Sequence, residues 1–231
     1  HWTAGDDLTK NIDRGELEIM GMRGAAPSCG DSRGEPCILS KNDGVSHFGT
    51  ITTIAESPLQ PGVLWAGTDD GNVQVSQNDN RSWTEVSGNL RSGGEGCWVS
   101  RVEASYFDVA TAYVSLDCHR NNDLRPYVYV TRDFGATWEA LANNLPSLGN
   151  VNVVRQDPRN RDVLYAGTEF GFYVSLNEGG SWDSFMTGLA TVRVDDLVVH
   201  PRDGDLVLGT HGRGALVMDD VTPIQQLTGE V

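Results

Sequence analysis

Thr131-Arg132-Asp133-Phe134-Gly135-Ala136-Thr137-Trp138 is the stretch whose reading decides the fold. It reads as the end of one strand, a tight turn and the start of the next, because Asp and Gly tolerate turn geometry while Thr and Trp favour strands. The spacing recurs: Ser76, Asn78, Asn80 and Trp83 form a degraded copy, and Ser175, Asn177, Gly179 and Trp182 a closer one. His1, Trp2 and Thr3 read as the tail of a further copy whose Asp and Gly would precede the first residue, which would make His1 an internal cut point.

Strands recur around each copy, and internal repetition settles architecture before anything else does. The first unit predicts strands at residues 50–56, 63–68, 73–76 and 83–86, and the second at 98–104, 111–116, 127–131 and 138–141. The third uses 151–156, 163–167, 172–175 and 182–186. A fourth has 194–200, 205–209 and 215–218, then Asp219-Asp220-Val221-Thr222-Pro223 in place of the turn motif and a last edge strand at 224–227. Four short antiparallel strands joined by hairpins make a propeller blade. The expectation is an all-β chain: a partial β-propeller of about four to five blades over residues 48–231, preceded over 1–47 by a remnant of an earlier blade and a long surface loop. Within that loop, residues 16–20 read as a brief strand. Open edges must be covered, either by the N-terminal remnant, by another chain or by further blades.

Thirty-two acidic residues against 17 basic ones give a net charge of −15, which argues against nucleic acid, since phosphate binding needs a basic surface. The field favours cations or basic partners, and it also serves solubility. No run is apolar for long enough to span a bilayer. Cys29, Cys37, Cys97 and Cys118 lack the Cys-x-x-Cys spacing of a zinc or redox site. They read either as two disulfides, Cys29 with Cys37 and Cys97 with Cys118, in an exported protein, or as free thiols.

With these residues in view, the chain resembles the Asp-box, or bacterial neuraminidase repeat, family of β-propellers, especially sortilin-like bacterial proteins often labelled glycosyl hydrolase. The resemblance runs from Phe48 to Pro223. It is carried by the three boxes together with Leu64-Trp65-Ala66-Gly67-Thr68-Asp69-Asp70-Gly71, Arg125-Pro126-Tyr127, Tyr165-Ala166-Gly167-Thr168-Glu169 and Leu208-Gly209-Thr210-His211-Gly212-Arg213-Gly214. It implies that each box lies between third and fourth strands, with its Asp bonding the turn backbone and its Trp packing between blades. Ser76, Asn78, Trp83, Thr131, Asp133, Gly135, Trp138, Ser175, Asn177, Gly179 and Trp182 are therefore expected to be structural. It also implies a bacterial protein placed outside the cytoplasm, extracellular or periplasmic.

Antiparallel order sends the box turns to one face and the loops after second and fourth strands to the other. The second face gathers Asp69, Asp70, an insertion at residues 118–126, Glu169, His211 and Arg213. As a binding module, it would meet a protein or peptide through His119, Arg120, Asp123, Arg125, His211 and Arg213, because rim loops vary without disturbing the blades. As a glycoside hydrolase acting on a glycan, it would use Asp70 and Glu169, since cleavage commonly needs two carboxyl groups across the scissile bond. Arg101 and Arg155 would then grip an acidic sugar, or else bond backbone carbonyls in the channel. The arginine-isoleucine-proline signature of sialidases is missing, and so is a tyrosine nucleophile with an acidic partner. The histidines have no paired ligand spacing and no helix follows residues 209–214, so no metal or cofactor is expected. The sequence reading is a non-catalytic scaffold or protein-binding propeller within a larger protein or assembly, with glycoside hydrolysis as the alternative.

Overall fold

The structure is a computed structural model that describes residues 5–10, 49–90 and 96–227. The segments predicted at 16–20 and 1–4, and the Cys29–Cys37 pairing, lie outside those residues.

Among the described residues, alternating apolar and small residues bounded by turns fold into fifteen strands grouped in four antiparallel sheets. Blade 1 holds β1 (Ile51–Glu56), β2 (Leu64–Thr68), β3 (Val73–Ser76) and β4 (Thr84–Glu85). Blade 2 holds β5 (Trp98–Ala104), β6 (Ala112–Asp117), β7 (Tyr127–Thr131) and β8 (Glu139–Ala140). Blade 3 holds β9 (Val151–Gln156), β10 (Leu164–Thr168), β11 (Phe172–Ser175) and β12 (Asp183–Ser184). Blade 4 has three strands, β13 (Val194–Val199), β14 (Leu206–Thr210) and β15 (Gly214–Met218). Strands pair in sequence order within every sheet, so the chain is an all-β partial propeller.

Two expectations are corrected. Residues 224–227 do not add an edge strand, because Thr222–Gln225 turn into a short helix, α1. Pro223 sits in its first turn, where a missing N–H costs nothing, while Val221 and Ile224, three apart, reach the same core. The fourth strands also shrink to two residues each, because pairing with the third strand lasts only that long. Residues 5–10 are irregular, with Leu8 buried.

The core lies between blades. One apolar cluster joins blades 1 and 2 through Trp65, Val99, Val102 and Val114, a second joins blades 2 and 3 through Tyr113, Val154 and Trp182, and a third joins blades 3 and 4 through Tyr165, Leu197 and Leu208. Burial of these faces, at about 25 cal/mol per Å² of apolar surface, is what holds one sheet against the next. The aromatic of the second strand in blades 1 to 3, Trp65, Tyr113 and Tyr165, faces the following blade and is almost fully buried.

Each box turn is a closed set of side-chain bonds. Asp133 Oδ1 accepts from Thr137 N at 2.8 Å and from Thr131 Oγ1 at 2.8 Å, while Thr131 Oγ1 accepts from Gly135 N at 2.8 Å. Asn177 and Ser175 repeat the pattern on Ser181 and Gly179, and Asn78 and Ser76 repeat it on Ser82 and Asn80. A short oxygen-bearing side chain thereby satisfies loop N–H groups that the tight turn leaves unpaired.

Candidate functional site

The site grows out of an irregularity repeated in all four blades. The register between first and second strand slips once in each, at Thr52, Ser100, Asn152 and Asp195. A bulge of this kind adds an unpaired residue and re-aims its side chain. Here the bulged side chains tie blade to blade: Thr52 Oγ1 donates to Val99 O at 2.8 Å, Ser100 Oγ to Val151 O at 2.7 Å, and Asn152 Nδ2 to Val194 O at 3.1 Å. The fourth bulge carries Asp195, a carboxylate with no proton to donate in this way. It accepts instead from Arg193 Nε at 2.5 Å.

These four residues line one cavity of about 310 Å³, on the face away from the box turns, together with Trp98, Asp117, His119, Arg120 and Arg193. The Cys97–Cys118 disulfide fixes its wall: it joins the residue before β5 to the residue after β6, from which the insertion departs. The insertion opens with a 3-10 turn over His119–Asn121, and Arg120 stacks over Trp98 at 4.5 Å from the ring centroid. His119 Nδ1 lies 2.7 Å from Asp117 Oδ1, which also accepts from the His119 backbone N–H. Burial opposes ionisation of Asp117, but those bonds from His119 outweigh it and hold the carboxyl below its ordinary range. Arg193 bridges Asp195 and, at 3.1 Å, Glu169. Burial opposes the Arg193 charge, and the two carboxylates more than restore it. His211 Nδ1 stands 3.8 Å from Asp195 Oδ2.

Below this cavity the channel holds a second charged group. Arg155 donates to Glu103 Oε2 at 2.6 Å and to Leu197 O at 3.0 Å, and Arg101 pairs with Asp196. Arg155 thus meets both a carboxylate and a backbone carbonyl, the second of which was one of its two expected roles. Burial pushes the Glu103 carboxyl up although Arg155 beside it pulls the other way.

The expected site residues separate into four places. His119, Arg120, Glu169 and His211 gather at or beside the cavity. Asp123 and Arg125 turn to each other in a two-pronged pair, at 2.9 and 2.7 Å, and Tyr127 Oη donates to Asp123 at 2.7 Å. Arg125, with Tyr127 behind it, holds the Asp123 carboxyl well below the usual range. Asp70 lies apart and fully buried, accepting from Lys10 N at 2.7 Å and Thr68 Oγ1 at 2.5 Å, and Asp69 accepts from Gly49 N and Thr50 N. Neither Asp70 nor Glu169 is among the residues lining this cavity. Arg213 is exposed on the β14–β15 turn. Sequence reading missed Trp98, Asp117, Arg193 and Asp195; the one available signal was polar Thr52, Ser100, Asn152 and Asp195 near the start of each first strand. Among the described residues, no group of three or more His, Cys, Asp or Glu could hold a metal, and no helix is long and apolar enough to cross a membrane.

No protein-family model matches the chain. The oligoxyloglucan-reducing end-specific xyloglucanase of Emericella nidulans is 31% identical over 88 residues, 38% of this chain and 10% of that protein. YCF48 bound to D1 peptide superposes with a TM-score of 0.55 at 14% identity over 74% of this chain and 51% of its own. The GH74 enzyme of Niastella koreensis superposes with a TM-score of 0.54 at 16% identity over 73% of this chain and 22% of its own. The chain therefore spans about half of one structural relative and about a fifth of the other, and shares their propeller fold.

Proposed function

We propose that this chain is a protein-binding portion of a propeller, and that it meets an extended polypeptide segment at the cavity built by the four first-strand bulges. One observation carries the reading: a single polar cavity receives side chains from all four blades and is walled by the disulfide-anchored insertion. Such a surface can recognise through Trp98, Arg120 and Arg193 while the blades stay rigid. YCF48, a structural relative, is seen with a bound peptide, which supports the class of partner. The disulfide fits a protein that works in an oxidising compartment outside the cytoplasm. Residues 1–47 would then belong to a preceding blade and its loop, and residues 48–231 to the blades.

The test is an array of extended peptides of both charges, probed with the chain and with a Trp98→Ala, Arg120→Ala double variant. Selective binding that drops about tenfold or more in the variant is expected, the loss typical of central interface anchors. Equal binding by both proteins would end the reading.

A second reading, glycan hydrolysis, is favoured by the pair of carboxylates, Asp117 and Asp195, lining a cavity that also contains an indole. Of the pair expected from sequence, Asp70 is closed off by Lys10 and Glu169 is bridged by Arg193. Release of reducing ends from an oligosaccharide panel, lost in Asp117→Asn and in Asp195→Asn, would establish hydrolysis and displace the binding reading.

A further inference from the structure

The three blade junctions can be compared position by position. Val86, Leu141 and Phe185 each follow their box tryptophan by three residues, and each donates its N–H to the third strand, to Val73 O, Val128 O and Phe172 O at 2.8–2.9 Å. At the first junction the indole of the next blade, Trp138, lies over this spot: Nε1 donates to Val86 O at 3.1 Å, and Trp138 clusters with Val73, Val86 and Leu90. At the second, Trp182 Nε1 donates to Leu141 O at 2.7 Å, and Trp182 clusters with Val128, Leu141 and Leu145.

At the third junction the corresponding trio is Phe172, Phe185 and Leu189, and it lines an apolar cavity of about 200 Å³ closed on the other side by Leu206, Leu208 and Leu216. No side-chain donor among the described residues takes the Phe185 carbonyl, and Phe185 is 37% exposed. Blade 4 supplies no box: after β15 the chain turns through Asp219 and Asp220 into α1, with Val221 N bonded to Gly204 O. Among the described residues it therefore has neither the indole nor a fourth strand, and β15 pairs with β14 alone, whereas β3, β7 and β11 each carry a fourth strand on the other edge. Val217 is 59% exposed, while the residues in its place, Val75, Val130 and Val174, are 2%, 1% and 4% exposed because they pack into the cluster shared with the following blade.

We propose that this cavity and the open edge of β15 form a docking socket for an extended partner strand led by tryptophan. The strand adds antiparallel to β15, its first two residues after the tryptophan opposite Val217 and Leu216, as Glu139 and Ala140 lie opposite Val130 and Tyr129. The indole enters the cavity and its Nε1–H donates to Phe185 O. Main-chain bonds to an exposed edge give such a contact its affinity, and the single pocket gives it selectivity. The cavity is smaller than those that hold drug-sized ligands and suits one side chain. This site is separate from the polar cavity and does not depend on its assignment.

The test titrates the full chain with two synthetic peptides, one copying residues 137–145 and one identical but for Trp138→Ala. The first is expected to bind about tenfold or more tightly than the second. It should also slow amide exchange at residues 214–218. Leu216→Trp, which fills the cavity from within, should weaken binding to the level of the alanine peptide. Equal affinities, no binding, or protection confined to another region overturns the proposal. Should Leu216→Trp fail to fold, the exchange pattern of the unaltered chain decides. Trp2→Ala guards the remaining route: if only its introduction frees residues 214–218 to exchange and to bind the peptide, the chain's own first residues fill the socket and the partner strand is overturned.

Discussion

The turn after β11 and the turn after β3 are closed by the same bonds, yet they hold their indoles differently. Trp182 is 3% exposed and bonded to the preceding blade, whereas Trp83 is half-buried and donates to Asn80 of its own turn at 2.6 Å. The residue two before the next bonded N–H explains much of this. Gly179 has φ +87°, and a Cβ there would stand 2.8 Å from the Leu141 side chain, so the turn sits directly on the neighbouring blade. Asn80 occupies the same place with φ +62° and uses its side chain to catch the indole locally. Asn144 seals the Trp182 junction further, exchanging bonds with Trp182 O and N at 2.9 and 2.8 Å. The lesson is that the box closes a turn on its own, while wedging blades together needs glycine at one position and a blade to receive the indole.

Four substitutions would break or sharpen this contrast. Trp182→Ala should cost about 3–5 kcal/mol, as large-to-small changes at buried aromatics do, read as a lowered denaturant midpoint. Gly179→Ala should cost about 1–3 kcal/mol through overpacking against Leu141 and an unfavourable positive φ, while Asn80→Gly should leave stability within about 1 kcal/mol of the parent. If Gly179→Ala proved harmless, the close approach would not be what seats the turn. Trp83→Ala should cost about 1 kcal/mol, since most of its contact is with its own turn, and a loss equal to that of Trp182→Ala would erase the distinction drawn here.

The smallest effect concerns pH. The Thr137 hydroxyl, helped by the Thr137 backbone N–H, holds the Asp133 carboxyl below its ordinary value. The folded state thus favours the ionised form, so its contribution is complete above the ordinary aspartate pKa and fades as pH falls through the lower folded value. Asp133 is exposed, which keeps the effect modest. Asn78 and Asn177, in the same place, do not titrate. Asp133→Asn should therefore flatten part of the acid limb of a stability profile measured by thermal unfolding, and an unchanged limb would remove Asp133 from it.

The same contrast marks how far the sequence could be read. Strand order, the hairpins and the turn motifs are local: alternation along the chain and Asp, Asn, Ser and Gly at fixed offsets encode them within ten residues. The candidate cavity is not local. Its bulges at Thr52, Ser100, Asn152 and Asp195 arise from a slip in pairing whose only trace in the sequence is a polar residue near the start of each first strand, and Asp117 and Arg193 meet only because blades 2 and 4 converge on the channel. Asp70 looks from sequence like an available carboxylate in an acidic turn, but a segment sixty residues away covers it. Residues 224–227 look like an edge strand until Val221 and Ile224 find a core between blades 3 and 4.

By itself, then, the chain dictated a repeated antiparallel unit and the chemistry of its turns, because backbone preferences and short-range hydrogen bonds act between neighbours in sequence. Which indoles wedge between blades, which carboxylates stay open and where a socket remains were settled only when the sheets packed. Those outcomes depend on which surface each blade presents to the next, and that surface is assembled from residues far apart along the chain.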